Sequence, residues 1–506
     1  MTLIGLDIGT TGCKANLFDY EGRVLASASR EYDILTPKPG WYEQDAEEVW
    51  LLAKECLREV AAHPSEPPVA LALSVQGEAI APVDRDGRAL RPMLLGMDTR
   101  TKSENEKLST WFGADALFER TGQPIHTINT LPKVLWLHEH EPEVFDKAWK
   151  FMLYEDFILF KLGRKAAIST CLASRTQMAD LRRLDWDAEL LGAVGLKPES
   201  LSPIVPSGQV VGAIAPEVAR DLSLPSGLKL VTGGHDQACG ALGAGIIRPG
   251  LAMVSTGTAE VIETAFSLGL KPQARPVLHP TLQAAGISVY AHVVQGLYLA
   301  MTLNHSGGLV LRWFRDRFGQ EEMQRAEAGE GDAYDLLLRD APASPARLFF
   351  LPHLSGSGTP HFDVDSKGAI IGLTVSTTKA EVALAILEGL TFELKSNLDV
   401  LVSAGVEFEE LRAIGGGAKS ARWLQLKADV SGLPVAIPAV TEAAGLGASM
   451  LAGKAVGVYQ SLEEAVARTV QIKGRYTPGP AATLYQKRYE LYRQIYPALR
   501  DLLHQV

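Results

Sequence analysis

An α/β protein of two similar domains is what this sequence predicts, and three observations carry the prediction. The chain has 506 residues, more than one hydrophobic core ordinarily serves. Its opening alternates short apolar runs with turns, then continues into a helical stretch and another apolar run, a β-β-β-α-β order. A shorter echo of the same pattern recurs midway along the chain.

Residues 3–6, 14–18 and 23–27 read as an antiparallel entry, with Asp19-Tyr20-Glu21-Gly22 as the hairpin connection between the last two. Apolar residues at Val49, Leu52, Ala53, Cys56 and Val60 have helical spacing and predict a helix over 45–61, followed by a buried strand at 69–74. In the second half, Val254-Ser255-Thr256-Gly257-Thr258 repeats the turn of Ile8-Gly9-Thr10-Thr11-Gly12 between two apolar runs. A long amphipathic helix at 379–401, a strand at 411–414 and a helix at 420–431 complete the second set. The boundary is expected near Gly243-Ala244-Gly245, giving domains 1–243 and 244–506, and residues 328–345, with their Asp, Gly and Pro, predict a surface excursion.

The composition, 46% apolar and 21% charged, excludes a mainly disordered or fibrous chain. A formal charge of −10 without a long Lys/Arg run argues against a nucleic-acid surface. The sequence shows neither a signal-peptide pattern nor an apolar run long enough for a bilayer, so no membrane association and a cytoplasmic location are expected. Cys13, Cys56, Cys171 and Cys239 form no C-x-x-C pair and read as reduced structural thiols.

Four constellations carry chemistry. In Asp7-Ile8-Gly9-Thr10-Thr11-Gly12-Cys13-Lys14 the glycines allow backbone N–H groups and the hydroxyls of Thr10 and Thr11 to converge on phosphate oxygens, with Gly12 and Lys14 in the same set. Asp7, at a strand end, is a candidate for holding Mg²⁺ through water. Ser255-Thr256-Gly257-Thr258 is a corresponding turn, and two facing turns can grip one polyphosphate. In Gly233-Gly234-His235-Asp236-Gln237, Asp236 is either a helix cap or a general base exposed by the glycines. Ile414-Gly415-Gly416-Gly417-Ala418 runs from a strand into a helix and suits a nucleotide phosphate. Neither a Walker A loop nor a Rossmann fingerprint is present.

These pieces, in this order, resemble the FGGY family of carbohydrate kinases, whose domains share the ribonuclease-H-like fold of actin, hexokinase and the Hsp70 ATPase. Gly368-Ala369-Ile370-Ile371-Gly372-Leu373 with Glu381-Val382 and Ala385-Ile386-Leu387-Glu388-Gly389 looks like the family's second signature, and Thr130-Leu131-Pro132-Lys133-Val134-Leu135-Trp136-Leu137 is similar to the first. The resemblance implies ATP and Mg²⁺ as cofactors and a catalytic cleft between the domains. It implies Asp7 as the metal-associated acid, Asp236 as the base, and Thr10, Thr11, Thr256, Gly257, Thr258, Gly415, Gly416, Gly417 and Ala418 at the nucleotide. Sugar contacts are implied at Trp41 with Glu43-Gln44, at Gln76-Gly77-Glu78, at Asp98 with Arg100, and at Asp236 with Gln237.

Xylulokinases show Gln-Met-His where this chain has Gln76-Gly77-Glu78, glycerol kinases show Gln-Arg-Glu, and residues 127–178 resemble fuculokinases. The expected activity is ATP-dependent phosphorylation of a ketopentose, with L-fuculose, a tetritol or tetrulose, and glycerol as alternatives. A homodimer is the oligomer the resemblance suggests. A rival of another class is a non-catalytic actin-like ATP-binding regulator or scaffold, which would need neither Asp236 nor the polar sugar set.

Overall fold

The structure, a computed structural model, describes residues 1–267, 278–343 and 345–506. The first half builds a six-stranded sheet from β1 (Thr2–Ile8), β2 (Gly12–Phe18), β3 (Val24–Glu31), β4 (Pro68–Val75), β5 (Val210–Ala213) and β6 (Lys229–His235), in the order β5-β6-β4-β1-β2-β3. Strand β1 runs antiparallel to β2 and parallel to β4, so it is central, and its apolar residues are buried on both faces. Helix α1 (Ala46–Ala61) joins the antiparallel entry to β4. Asp45 caps it by accepting from the N–H groups of Glu47 and Glu48, so the predicted start was one residue early.

The second half repeats the plan. Strands β7 (Gly250–Thr256), β8 (Glu260–Phe266), β9 (Ser288–Ala291), β10 (Tyr298–Asn304), β11 (Phe408–Gly415), β12 (Val435–Pro438) and β13 (Ile472–Tyr476) form a sheet of order β9-β10-β8-β7-β11-β12-β13. Here β7 takes the place of β1, antiparallel to β8 and parallel to β11. The remaining helices that shape the site are α2 (Thr130–His140), α3 (Thr170–Arg175), α4 (Asp236–Gly243), α5 (Gly308–Phe318), α6 (Ala333–Leu338), α7 (Lys379–Ser403), α8 (Ala421–Ser431) and α9 (Ala443–Ala455).

The halves are not separate in space. Helix α9 packs on α4 and on strands β1, β4 and β6 of the first sheet. Contact is backbone against backbone: a Cβ on Gly5 would stand 2.0 Å from the Gly445 carbonyl oxygen, and one on Gly447 would stand 1.9 Å from that of Cys239. One apolar cluster accordingly mixes Leu3 and Phe18 with Leu242, Met253, Leu446 and Leu451.

The predicted surface excursion differs from what is found. Within it α6 buries Leu336, Leu337 and Leu338 against the second domain; Ser344 lies outside the described residues. Among the described residues no helix is long and apolar enough to cross a membrane, and the four cysteines are free and buried.

Candidate active site

The two glycine-threonine turns sit at equivalent ends of β1 and β7. In the first, the Gly9 N–H donates to the Gly12 carbonyl at 2.9 Å. Neutral side chains fasten it from outside: Tyr32 Oη donates to the Gly9 carbonyl at 2.6 Å, Gln76 Nε2 to the same oxygen at 3.1 Å, and Gln44 Nε2 to the Thr10 carbonyl at 2.8 Å. Thr11 is exposed at the tip. Lys14 is held across the interface by Glu442, with both carboxylate oxygens 3.0–3.1 Å from its ammonium.

The second turn is braced by charge. Lys427 Nζ, from α8, reaches Glu260 Oε2 and Thr256 Oγ1, each at 2.6 Å, while Thr256 Oγ1 donates to Glu260 at 2.7 Å. All three are buried. The Thr256 hydroxyl is therefore engaged inside the domain, and the exposed members of this turn are Gly257 and Thr258.

Gly415 and Gly417 lie directly against it. With φ at +80°, Gly415 would put a Cβ 2.7 Å from the Thr256 carbonyl oxygen, and a Cβ on Gly417 would meet Thr256 Cβ at 2.7 Å. Only glycine lets β11 enter α8 at this height. Ser420 then caps α8 by accepting from the Trp423 N–H.

The second turn and the glycines after β11 border a cleft of about 690 Å³ lined by Thr256, Gly257, Thr258, Gly416, Gly417, Lys419 and Trp423, and closed by Tyr334 and Asp335 of α6. Backbone donors and a basic side chain on one wall and aromatic groups on another suit a nucleotide. Ala418 packs instead toward the core. A smaller cleft of about 280 Å³ is lined by Gly415, the residue before Gly416 of the larger cleft, and holds Asp7, Asp236, Gln237 and Glu442.

Asp236 is the first residue of α4; His235 occupies the cap position. The Asp236 side chain is 27% exposed and accepts from the Gln237 N–H at 2.6 Å. Burial, followed by the charge of Asp7, pushes its carboxyl up to about 8. Asp7 itself accepts from the Ser74 hydroxyl at 2.6 Å, yet burial still raises it to about 6, with Glu442 adding to the rise. Such a carboxyl, set at a strand end among other acids, is a hard oxygen donor whose excess negative charge a divalent cation relieves.

On the sugar side the structure separates two groups. Gln76, Gly77 and Glu78 border the region of Asp236: a Cβ on Gly77 would meet the His235 ring at 2.9 Å. Glu78 Oε1 accepts from Arg175 Nε at 2.7 Å in a buried pair, while Glu78 Oε2 lies beside Gly96 and Ile128. Asp98 and Arg100 are closed on each other instead. Arg100 Nε donates to Asp98 Oδ1 at 2.9 Å, both side chains are at most 1% exposed, and the guanidinium stacks 3.8 Å over Trp41. Arg100 Nη2 also donates to Glu43 at 2.8 Å, while Arg100 Nη1 is buried without a hydrogen-bond partner among the described residues.

Several site-building residues were given no role by the sequence reading: Arg175, Lys427, Tyr334, and Lys133, quoted there only within a family signature, which is buried and donates to the carbonyls of Thr127 and Asn129 at 2.9 Å. Burial draws the Lys133 ammonium down to about 7. None belongs to a local glycine motif; only the apolar run around Lys133 could have marked it, as a charge inside a buried helix.

Comparison with known proteins agrees with this geometry. The model of the FGGY family of carbohydrate kinases, N-terminal domain, matches residues 2–243, and that of its C-terminal domain matches residues 252–456. The chain is 29% identical to the xylulose kinase of Bacillus subtilis, over 99% of this chain and 97% of that one. It is 32% identical to the autoinducer-2 kinase of Klebsiella pneumoniae, over 98% and 93%. The crystal structure of gluconate kinase from Lactobacillus acidophilus superposes with a TM-score of 0.90 at 28% identity, covering 98% of each chain. The two-domain plan, the paired turns and these matches together assign the chain to the FGGY family of carbohydrate kinases.

Proposed function

We propose that this carbohydrate kinase transfers the γ-phosphoryl group of MgATP to a hydroxyl of a ketopentose, with Asp236 as general base. One observation carries the reading. Asp236 opens into a cleft that it shares with Asp7 and with Gly415, whose next residue, Gly416, lines the larger nucleotide-sized cleft. A sugar hydroxyl beside Asp236 would face a phosphoryl group gripped between the two turns.

Sugar binds on the first domain, where Gln76 and Glu78 supply an amide and a carboxylate for polyol hydroxyls. ATP binds on the second, with its phosphates toward Gly257, Thr258, Gly416 and Gly417. As the hydroxyl oxygen attacks phosphorus, Asp236 accepts its proton, and backbone donors of both turns balance the charge on the transferred group. Asp7 would hold Mg²⁺ through water, which supplies neutralisation of the phosphate oxygens when bound. A ketopentose is supported by full-length similarity to a xylulose kinase. A cytoplasmic location accompanies the reading and is supported by the four unpaired cysteines.

The test is coupled ADP release over D-xylulose, other ketopentoses, L-fuculose, gluconate, tetritols and glycerol. The highest kcat/KM is expected with a ketopentose; ATP hydrolysis indifferent to every sugar would instead support a regulator. Asp236→Asn should lower kcat by about 10²–10⁴-fold while retaining ATP. Because the base must be ionised, kcat/KM of the wild type should fall as pH drops below about 8.

A further inference from the structure

The strand that delivers Asp236 is irregular just before it. Where β6 pairs with β4, Val231 faces Ala72 and Gly234 faces Ser74, so Thr232 and Gly233 together stand opposite Leu73. The extra residue makes a β-bulge, and because strand side chains alternate, it decides the face to which everything after it is turned. Gly233 is pressed into the neighbouring strand: a Cβ there would stand 1.5 Å from the Leu73 carbonyl oxygen. Its N–H leaves the ladder and donates to Glu155 Oε1 at 2.8 Å. From Gly234 the pairing resumes, His235 faces Val75, and Asp236 opens α4.

Glu155 comes from the helix Tyr154–Gly163 and is fully buried. Its other oxygen, Oε2, accepts from the Ser169 N–H at 2.8 Å and from the Ser169 hydroxyl at 2.7 Å. Ser169 Oγ in turn caps α3 by accepting from the Leu172 N–H. That short helix ends in Arg175, whose Nε donates to Glu78 Oε1. It also lies against the bulge, since a Cβ on Gly234 would meet Cys171 Sγ at 2.9 Å. Three donors converge on the Glu155 carboxyl, an arrangement that suits its ionised form. Burial pushes it up to about 7 against their pull, so it carries its charge in the range near 8 where Asp236 ionises.

We propose that Glu155 is a positioning residue for phosphoryl transfer: one oxygen holds the bulge that aims Asp236, the other anchors the helix that brings Arg175 to Glu78, and the base and the sugar-side carboxylate are thereby kept at one separation. The proposal rests on Asp236 being the base. Being fully buried, Glu155 acts through the backbone at Gly233 and Ser169. An amide cannot replace it. Each carboxylate oxygen faces a backbone N–H, whereas glutamine has one oxygen, so its NH2 group must face Gly233 or Ser169 and leave one interior N–H unpaired.

Glu155→Gln, Ser169→Ala and the double variant Glu155→Gln with Asp236→Asn test this in the full chain, with the sugar of highest kcat/KM as substrate and thermal unfolding followed for each. Glu155→Gln should lower kcat about tenfold, since misplacing a reacting group by about 1 Å costs about 10²-fold, and leave KM for MgATP within about twofold. Ser169→Ala, which loosens only the α3 side, should raise KM for the sugar about threefold with kcat changed less than about twofold. In the Asp236→Asn background the Gln substitution should lower kcat by less than about twofold, because no base is left to misplace. A loss that came only from a smaller folded fraction would multiply in full. A folded Glu155→Gln with wild-type kcat overturns the proposal, as does full multiplication in the double variant. Where Glu155→Gln does not fold, an unmoved sugar KM in Ser169→Ala overturns it. Near-normal turnover of Asp236→Asn would instead remove the base itself, so the two failures are distinguishable.

Discussion

The turn after β1 and the turn after β7 have the same place in their sheets and opposite means of support. Neutral donors from Tyr32, Gln44 and Gln76 hold the first by its carbonyls. A buried ion pair, Lys427 with Glu260, holds the second through the Thr256 hydroxyl. The difference follows from neighbours. The first turn must stay beside the acids Asp7 and Asp236, where another fixed carboxylate would raise their charging cost further. The second turn has no acid at the position equivalent to Asp7, because Ser255 stands there. It can afford a buried Glu260 provided that Lys427 never leaves it.

The comparison can be broken most severely at Lys427. Lys427→Met leaves Glu260 buried without its partner and should cost about 3–5 kcal/mol, read as a lowered unfolding temperature together with lost ATP binding. Gly415→Ala is expected to be milder, at about 1–3 kcal/mol, because a left-handed residue acquires a Cβ against the Thr256 carbonyl; KM for ATP should rise more than KM for sugar. Tyr32→Phe, which removes one neutral donor from the first turn, should cost about 1 kcal/mol. An equal loss in Tyr32→Phe and Lys427→Met would erase the distinction between the turns.

One effect has the opposite sign. The folded chain holds the Asp236 proton up to about 8, whereas the unfolded chain releases it in the ordinary carboxylate range near 4. The stability from this group is complete below about pH 4 and is lost as pH rises through about 8. Asn carries no such burden, so Asp236→Asn should unfold several degrees above wild type, roughly, at pH 9 and gain less at pH 6. A gain that is the same at both pH values would mean that Asp236 does not titrate there.

Much of the scaffold was legible because its signals are local. The alternation around β1 to β3 and the spacing of Val49 to Val60 act within a few residues. The glycine-threonine turns were legible for the same reason. What escaped depends on residues far apart in sequence. Nothing beside Glu78 announces Arg175, and nothing beside Glu260 announces Lys427, since each pairing is made by the sheets that bring them together. Asp98 and Arg100 were expected as sugar contacts from the family resemblance, which does not carry the packing around them: the two tryptophans that enclose the guanidinium, Trp41 and Trp136, come from separate segments. Helix α6 was missed because six residues between glycines and prolines are too few to display a period.

The position of α9 has a consequence for how the molecule is made. Synthesis delivers β1 first, yet the helix that covers it against β4 and β6 is not available until residue 455 has left the ribosome. A nascent chain that has only reached Gly243 therefore carries a bare apolar sheet face, and its earliest strands wait for the last third of translation to be shielded.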